Sequence, residues 1–407
     1  MKTDYDILII GGGMVGASLG VALGSLPLRV GLIEAVEFGS NAQPSYDDRT
    51  VTLSYGSKRI FESLSVWERI EARGATPIKQ IHISDRGRFG FTRLDAAEAG
   101  FEALGYVVEN RALGQALKAE LAQTKNLTLI CPASVEEVSF AEDAATVTLR
   151  RGGIQETLRA RLVVAADGGR SLVRDKAGIE TRRIDYRQSA LVTTITPELP
   201  HHNIAYERFT GSGPLAILPM SENRCAVVWT LSSGDVEAVL AQDDAQFLAA
   251  LQERFGTRLG RFLKVGKRAV YPLARTSVRE HVRERLVLIG NAAHTVHPVA
   301  GQGFNLGLRD VAVLAQVLSD AQRAGRDFGE LAVLANYGAW RKRDNRAVSA
   351  FTDGLVRIFS NDLAPVSFLR NLGLVAVDLF PPAKQALLRL SMGRAGRLPR
   401  LARGLPL

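Results

Sequence analysis

Two glycine-rich clusters stand at opposite ends of this 407-residue chain. The first is Gly11-x-Gly13-x-x-Gly16. The second runs through Gly290-Asn-Ala-Ala-His294 and on through His297-Pro-Val-Ala-Gly301-Gln-Gly303-Phe-Asn305-Leu-Gly307-Leu-Arg-Asp310. In the first, Gly11 permits a tight turn, Gly13 lets a pyrophosphate approach the backbone, and Gly16 allows close packing of the helix that follows. The free N–H groups and positive dipole end of that helix favour phosphate. Glu34, at the end of the next apolar run, suits a pair of ribose hydroxyls and repels a 2′-phosphate, which leaves FAD or NAD there and disfavours NADP. A ligand that touches both clusters has to be long, and FAD is long enough.

The elements that must hold these residues are legible as well. Asp6-Ile-Leu-Ile-Ile10 reads as a buried parallel strand, Met14 to Leu23 as a helix, and Arg29 to Ile33 as a second strand. In the distal cluster a helix starting around Gln302–Asn305 would present unpaired N–H groups, with Gly301 and Gly303 allowing close approach. Such an end stabilises negative charge on a reduced flavin ring. Pro298 stiffens the loop and carries no N–H donor. Pro298, Gly301 and Gln302 are therefore the candidate catalytic residues. Gly11, Gly13, Gly16, Glu34, Gly303 and Asn305 are candidates for holding the cofactor. Arg49 and Arg111 read either as partners of the flavin and its pyrophosphate or as solvated surface arginines. His294 and His297 read either as acid–base groups or as residues that shape the loop.

Composition narrows the class. The chain is 46% hydrophobic and 23% charged, as expected of a globular protein with a sizeable core. Asp4 and Asp6 sit where a signal peptide would carry basic residues, and the small-residue spacing after Gly16 is too short and too interrupted for a membrane span. Cys131 and Cys225 are distant and form no Cys-x-x-Cys pair, which excludes a disulfide-reductase type of flavoenzyme and suits a reducing compartment. The six histidines come together in no group larger than a pair, so no metal centre is expected. The net charge is +9, and the last 28 residues, from Phe380, hold six basic side chains and no acid. The rest carries +3, which is not the footprint of a nucleic-acid-binding face.

Along the chain, a helix-period segment places Ile60, Phe61, Leu64, Trp67 and Ile70 on one face. Ile78–Ile83 reads as a strand, Asn110–Gln123 as a helix, and four strands fall between Leu127 and Ala165. Short runs from about Ile184 to Val270 suggest an antiparallel sheet interrupted by a helical stretch, Asp235 to Phe255. Arg285 to Gly290 returns to the parallel-strand pattern, and the remainder is helical. The expectation is an α/β (α+β overall) protein. A discontinuous Rossmann-like domain (1–75, 104–182, 271–380) is interrupted by a sheet-rich substrate domain (76–103, 183–270) and followed by a basic tail (381–407). The tail's leucines, Leu387, Leu388, Leu390, Leu398 and Leu401, together with its charge read either as a contact for a membrane surface or a partner protein, or as a disordered or helix-packed end with incidental charge.

A third cluster, Val163-Val-Ala-Ala-Asp167-Gly168-Gly-Arg-Ser171-Leu-Val-Arg174, completes a pattern. With the two glycine-rich clusters it resembles the single-component FAD-dependent aromatic hydroxylases, of the para-hydroxybenzoate-hydroxylase type. His297 to Asp310 is similar to the signature of the ubiquinone-biosynthesis hydroxylases. Asp48–Leu53, Ala103–Glu109 and Glu207-Arg-Phe-Thr-Gly-Ser-Gly-Pro-Leu-Ala-Ile-Leu-Pro-Met220 look most like the group acting on 2-polyprenyl-6-methoxyphenol. The resemblance spans essentially the whole chain. It implies an FAD monooxygenase with non-covalent FAD, NAD(P)H as co-substrate, O2, a polyprenyl phenol substrate and a flavin C4a-hydroperoxide. It also implies a cytoplasmic enzyme at the inner-membrane surface, in company with other proteins of the pathway. Asp167 and Asn291 join the cofactor-binding set on this ground. Position 291 departs from the Gly-Asp usual in the superfamily, but an Asn amide still bonds a ribityl hydroxyl. The alternatives are a sister enzyme acting at another ring position, an FAD-dependent reductase, and a flavin-stabilised scaffold without turnover.

Overall fold

The computed structural model describes residues 3–38, 40, 49–296, 301–359 and 364–407. The strand Tyr5–Ile10 lies between Val30–Ile33 and Ile154–Ala165, parallel to both. Leu286–Leu288 and Leu127–Ile130 extend the parallel sheet on either side. Two antiparallel strands, Ser134–Phe140 and Ala145–Arg151, and the short Val282–Arg283 bring it to eight. Ile7 to Ile9 are fully buried because both faces of the sheet are covered, Ile7 and Ile9 by helices and Leu8 by Val147, Leu149 and Val173 on the other side, which explains an unbroken apolar run where an alternating one would suit a half-wet sheet.

The helix Met14–Leu23 is buried from Gly16 to Leu23, wedged between the sheet and the helices Asn110–Leu121 and Gln302–Arg323. The last of these turns Leu308, Val311, Leu314, Ala315 and Leu318 into the same core at helical spacing. Each fully buried leucine contributes roughly 2 kcal/mol of apolar burial.

A nine-stranded sheet stands against this layer, and its central strands are antiparallel. It takes Gln80–Asp85, Phe91–Asp95, Thr181–Pro197, Ile204–Thr210, Gly213–Pro219 and Cys225–Ser232. It also takes Phe262–Val265, Ala269–Val278 and His294–Thr295, so it continues past residue 270. A three-stranded sheet, Thr50–Ser54, Gly105–Glu109 and Thr76–Ile78, joins the two layers.

Several expectations are corrected. Residues 60–70 are two helices, Tyr55–Ser63 and Trp67–Glu71, because Ser65 turns to φ 58° between them. Residues 235–255 are also two helices, and the second starts at an Asp243/Gln246 capping box. The single strand read over 78–83 is divided at Lys79, and its halves belong to different sheets.

The basic end is packed chain rather than a free tail. Pro381–Ser391 is helical, and Leu388, Met392 and Leu401 are buried. Arg309 donates to the carbonyls of Gly393 (2.6 Å) and Ala395 (2.7 Å), and Arg400 pairs with Asp320 at 2.8 Å. None of the five leucines assigned to membrane contact is exposed, since the body of the protein occupies their apolar faces.

Candidate active site

At the N-terminal cluster the backbone does what its glycines allow. Gly11 has φ +102°, and a Cβ there would lie 2.5 Å from the Ala166 carbonyl oxygen. A Cβ on Gly16 would lie 1.9 Å from the Gly11 oxygen, so helix and turn pack at backbone distance. Gly13 caps the helix in an extended conformation and offers no side-chain acceptor, leaving first-turn N–H groups to face the cavity that it lines. Glu34 stands at the end of its strand. One carboxylate oxygen accepts from Gly12 N (2.6 Å) and the other from Val36 N (2.8 Å). Each oxygen keeps a further lone pair for a ribose hydroxyl.

The distal cluster docks directly on the first. A Cβ on Gly290 would meet Val15 at 3.1 Å, and one on Gly307 would meet it at 2.9 Å. Gly301 caps the Gln302–Arg323 helix at φ +62°, again with no side-chain cap. A Cβ at Gly301 would strike Thr52 at 2.9 Å, whereas one at Gly303 would meet open space. Close approach from the cavity is thus available at Gly303, and the freedom of Gly301 serves the turn. Asn305 uses both ends of its amide within the protein. Its oxygen accepts from Ser54 N (2.9 Å) and Ser57 Oγ (2.7 Å), and its nitrogen donates to the carbonyls of Thr52 (2.9 Å) and Gly301 (2.8 Å). It fastens the helix start to a strand some 250 residues away. Pro298 and His297 lie outside the described residues.

Beneath this loop is a buried ion network. Asp310 accepts from Gly290 N (2.9 Å), Arg341 Nε (2.5 Å) and His294 Nε2 (2.7 Å). Arg341 is fully buried and also reaches Asp344, Asn345 and the Leu306 carbonyl. Burial alone would raise the Asp310 carboxyl. The facing His294 and Arg341 charges, with the Gly290 N–H, reverse that and hold it well below the usual carboxylate range. His294 is buried, bonds Asp310 through Nε2 and does not line the cavity onto which the clusters open, which suits the loop-shaping reading.

All three clusters open onto one cavity of about 1500 Å³. Gly13, Arg49, Gly168, Gly169, Asn291 and Gly301–Asn305 line one side. Ile83, Leu94, Ala216, Leu218 and Val228 of the nine-stranded sheet form the other. Arg49 holds its guanidinium 4.8 Å from the Tyr271 ring. Asp167 accepts from Val173 N at 3.2 Å, while its other oxygen is buried without a partner among the described residues. Burial raises its carboxyl. Arg111 is exposed in the first turn of its helix and does not line the cavity, whereas its neighbour Asn110 does.

Sequence reasoning missed Glu207. It sits in the apolar wall of the cavity, and burial pushes its carboxyl up to about 7. The signal was an acid inside the run Ile204–Thr210, at the position that faces away from the sheet's packed core of Tyr206 and Phe255.

Residues 4–352 match the family described as the FAD binding domain. Ubiquinone hydroxylase UbiL of Rhodospirillum rubrum is 42% identical over 99% of this chain and 93% of its own length. The 3-demethoxyubiquinol 3-hydroxylase of Escherichia coli is 34% identical over 95% of this chain and 98% of its own length. This chain is an FAD-dependent hydroxylase of the family that contains these enzymes. The hydroxylase shares its fold with p-nitrophenol 4-monooxygenase PnpA of Pseudomonas putida, at a TM-score of 0.81 and 19% identity over 98% of this chain and all of the other. FAD fits the hydroxylase as observed. Two uncapped helix starts converge on one cavity, a glycine leaves open space between them, and Asp167 keeps an unpartnered oxygen beside it.

Proposed function

We propose that the hydroxylase adds oxygen to the ring of a polyprenylated methoxyphenol in ubiquinone biosynthesis, using NAD(P)H and O2. The observation that carries this reading is the continuity of the cavity. The helix start beyond Gly13, a second helix start at Gly301 and an apolar sheet face bound one space, larger than most single-ligand sites. The bound flavin would supply the oxygen-activating chemistry.

The protein's own residues do the rest. The first-turn N–H groups beyond Gly13 take the pyrophosphate, and Glu34 takes the ribose. The N–H groups at Gly301, Gln302 and Gly303 would face a bound flavin and favour negative charge there without titrating. Asn291 and Asp167 would hold polar edges of the cofactor, and Arg49, over the Tyr271 ring, would add positive charge beside it. The sheet face excludes water and orients the phenol ring. Glu207, which lines that space, accepts a hydrogen bond from the phenol hydroxyl when ionised and is a weaker acceptor when protonated. The sequence holds no second nucleotide fingerprint, which suits an NAD(P)H that binds transiently.

The test is to supply purified, FAD-loaded protein with NAD(P)H and a short-chain 2-prenyl-6-methoxyphenol under labelled O2. A product carrying one labelled oxygen atom is expected, and its fragmentation fixes the ring position. NAD(P)H consumption that yields only hydrogen peroxide, across a panel of methoxyphenols, would overturn the reading.

A further inference from the structure

Seven large apolar side chains stand exposed along one edge of the molecule. Phe368, Leu369, Leu372 and Leu379 come from the helix Ala364–Leu379, and Phe380 follows it. Phe89 and Phe91 come from the hairpin that joins Gln80–Asp85 to Phe91–Asp95. Leu379 is 75% exposed and Leu369 66%. The rings of Phe89 and Phe368 lie 6.3 Å apart, so hairpin and helix form one patch. The inner side of the helix is committed elsewhere. Asn371 accepts from Gly90 N at 2.8 Å, the Leu374 carbonyl accepts from Thr92 at 2.6 Å, and Arg370 pairs with the buried Asp85 at 2.5 Å. Those bonds fix which face looks outward. Arg370, Gly373, Leu374 and Val377 line the cavity, and Leu369 belongs to both cavity wall and patch.

We propose that this patch docks on a lipid bilayer, and that an isoprenoid chain passes between bilayer and cavity beside Leu369. The passage rests on the polyprenylated substrate proposed above. An exposed apolar area of this extent marks a contact surface, and its charge pattern selects an anionic lipid surface. Arg86 to Leu94 contains three arginines and no acid. Arg88 and Arg93 are exposed, and the Arg93 guanidinium lies 5.0 Å from the Phe91 ring. The helix carries one acid, Asp378, which accepts from Arg93 N at 2.9 Å and lies 3.8 Å from Lys384. Aromatic and leucine side chains beside arginines are the composition of an interfacial helix that lies in the headgroup plane. Docking rather than crossing is implied, since among the described residues no helix is long and apolar enough to span a membrane.

The test uses the full-length, FAD-loaded protein and vesicles of phosphatidylglycerol with phosphatidylcholine. The triple variant Phe368→Gln, Leu372→Gln, Leu379→Gln touches no cavity-lining residue. Its co-sedimentation with vesicles should fall about tenfold. Ile154→Gln with Leu240→Gln, exposed apolar residues elsewhere, should change nothing. Leu379→Trp, which keeps the patch apolar, should be quenched by brominated lipid. Sedimentation of the triple variant like wild type, or an unquenched Leu379→Trp, would overturn docking. So would unchanged vesicle binding with loss of a solution dimer, which assigns the patch to a second copy of the chain. Turnover is read separately. Retained turnover of a soluble short-chain methoxyphenol, with loss of a long-chain one held in vesicles, supports the passage. Failure of wild type on every methoxyphenol, with vesicle binding intact, overturns the substrate and the passage but not the docking.

Discussion

Glu207 shows how much one side chain depends on its surroundings. Its carboxyl sits at about 7 in the folded chain against an ordinary value of 4.5, and burial is the cause. The folded state therefore holds a proton that the unfolded chain has released between those values. Stability from this group is fully present below pH 4.5 and is lost as pH rises through 7. Glu207→Gln should melt with wild type near pH 4.5 and about 2 °C or more above it at pH 8. Parallel melting curves at every pH would contradict the assignment. Glu34 makes the opposite case, a carboxylate already tied to Gly12 N and Val36 N. Glu34→Arg should weaken FAD retention by about 2–4 kcal/mol, through repulsion and lost hydrogen bonds. Equilibrium dialysis reads this, and full retention would remove the ribose from this residue. Glu34 was legible because strand, glycines, helix, strand and acid are contiguous in sequence. Glu207 was not, because which side of a strand meets a cavity depends on partners far along the chain.

At the scale of elements, the two glycine-rich clusters carry different loads. Gly301 bears a left-handed φ and sits against Thr52, whereas Gly303 faces open space. Gly301→Ala should lower the melting stability of the FAD-free protein by about 1–2 kcal/mol. Gly303→Ala should leave that stability nearly unchanged and reduce FAD affinity, because its methyl enters the cavity. Thermal melts of both variants with and without FAD check this, and equal losses in the FAD-free state would contradict it. Sequence showed a helix starting at this loop. It did not show that Asn305 fastens the helix start to Thr52 and Ser54, or that Asp310 gathers Gly290, His294 and Arg341. Those partners meet only after the chain has folded. Composition likewise marked the C-terminal end as basic and leucine-rich, yet the leucines turn inward against the body of the protein. The exposed apolar stripe belongs to the preceding helix, where an even run of small and apolar residues gave no clear face.

On the scale of the whole molecule, one chain brings residues from near both ends to Val15 and sets a sheet face across from them. The parallel layer was legible from its apolar runs, and the sheet from its short alternating ones. Their junction was not, since strands such as Thr181–Pro197 run continuously through the boundary that composition suggests. The account depends on that junction forming a single space for flavin and phenol. The most direct measurement is the ratio of hydroxylated product to released hydrogen peroxide, compared between wild type and Ala216→Phe on the sheet face. The variant should keep full FAD content and lose most of its product in favour of peroxide, because the ring is displaced while the cofactor stays. Unchanged product with that phenyl group in place would show that the phenol binds elsewhere.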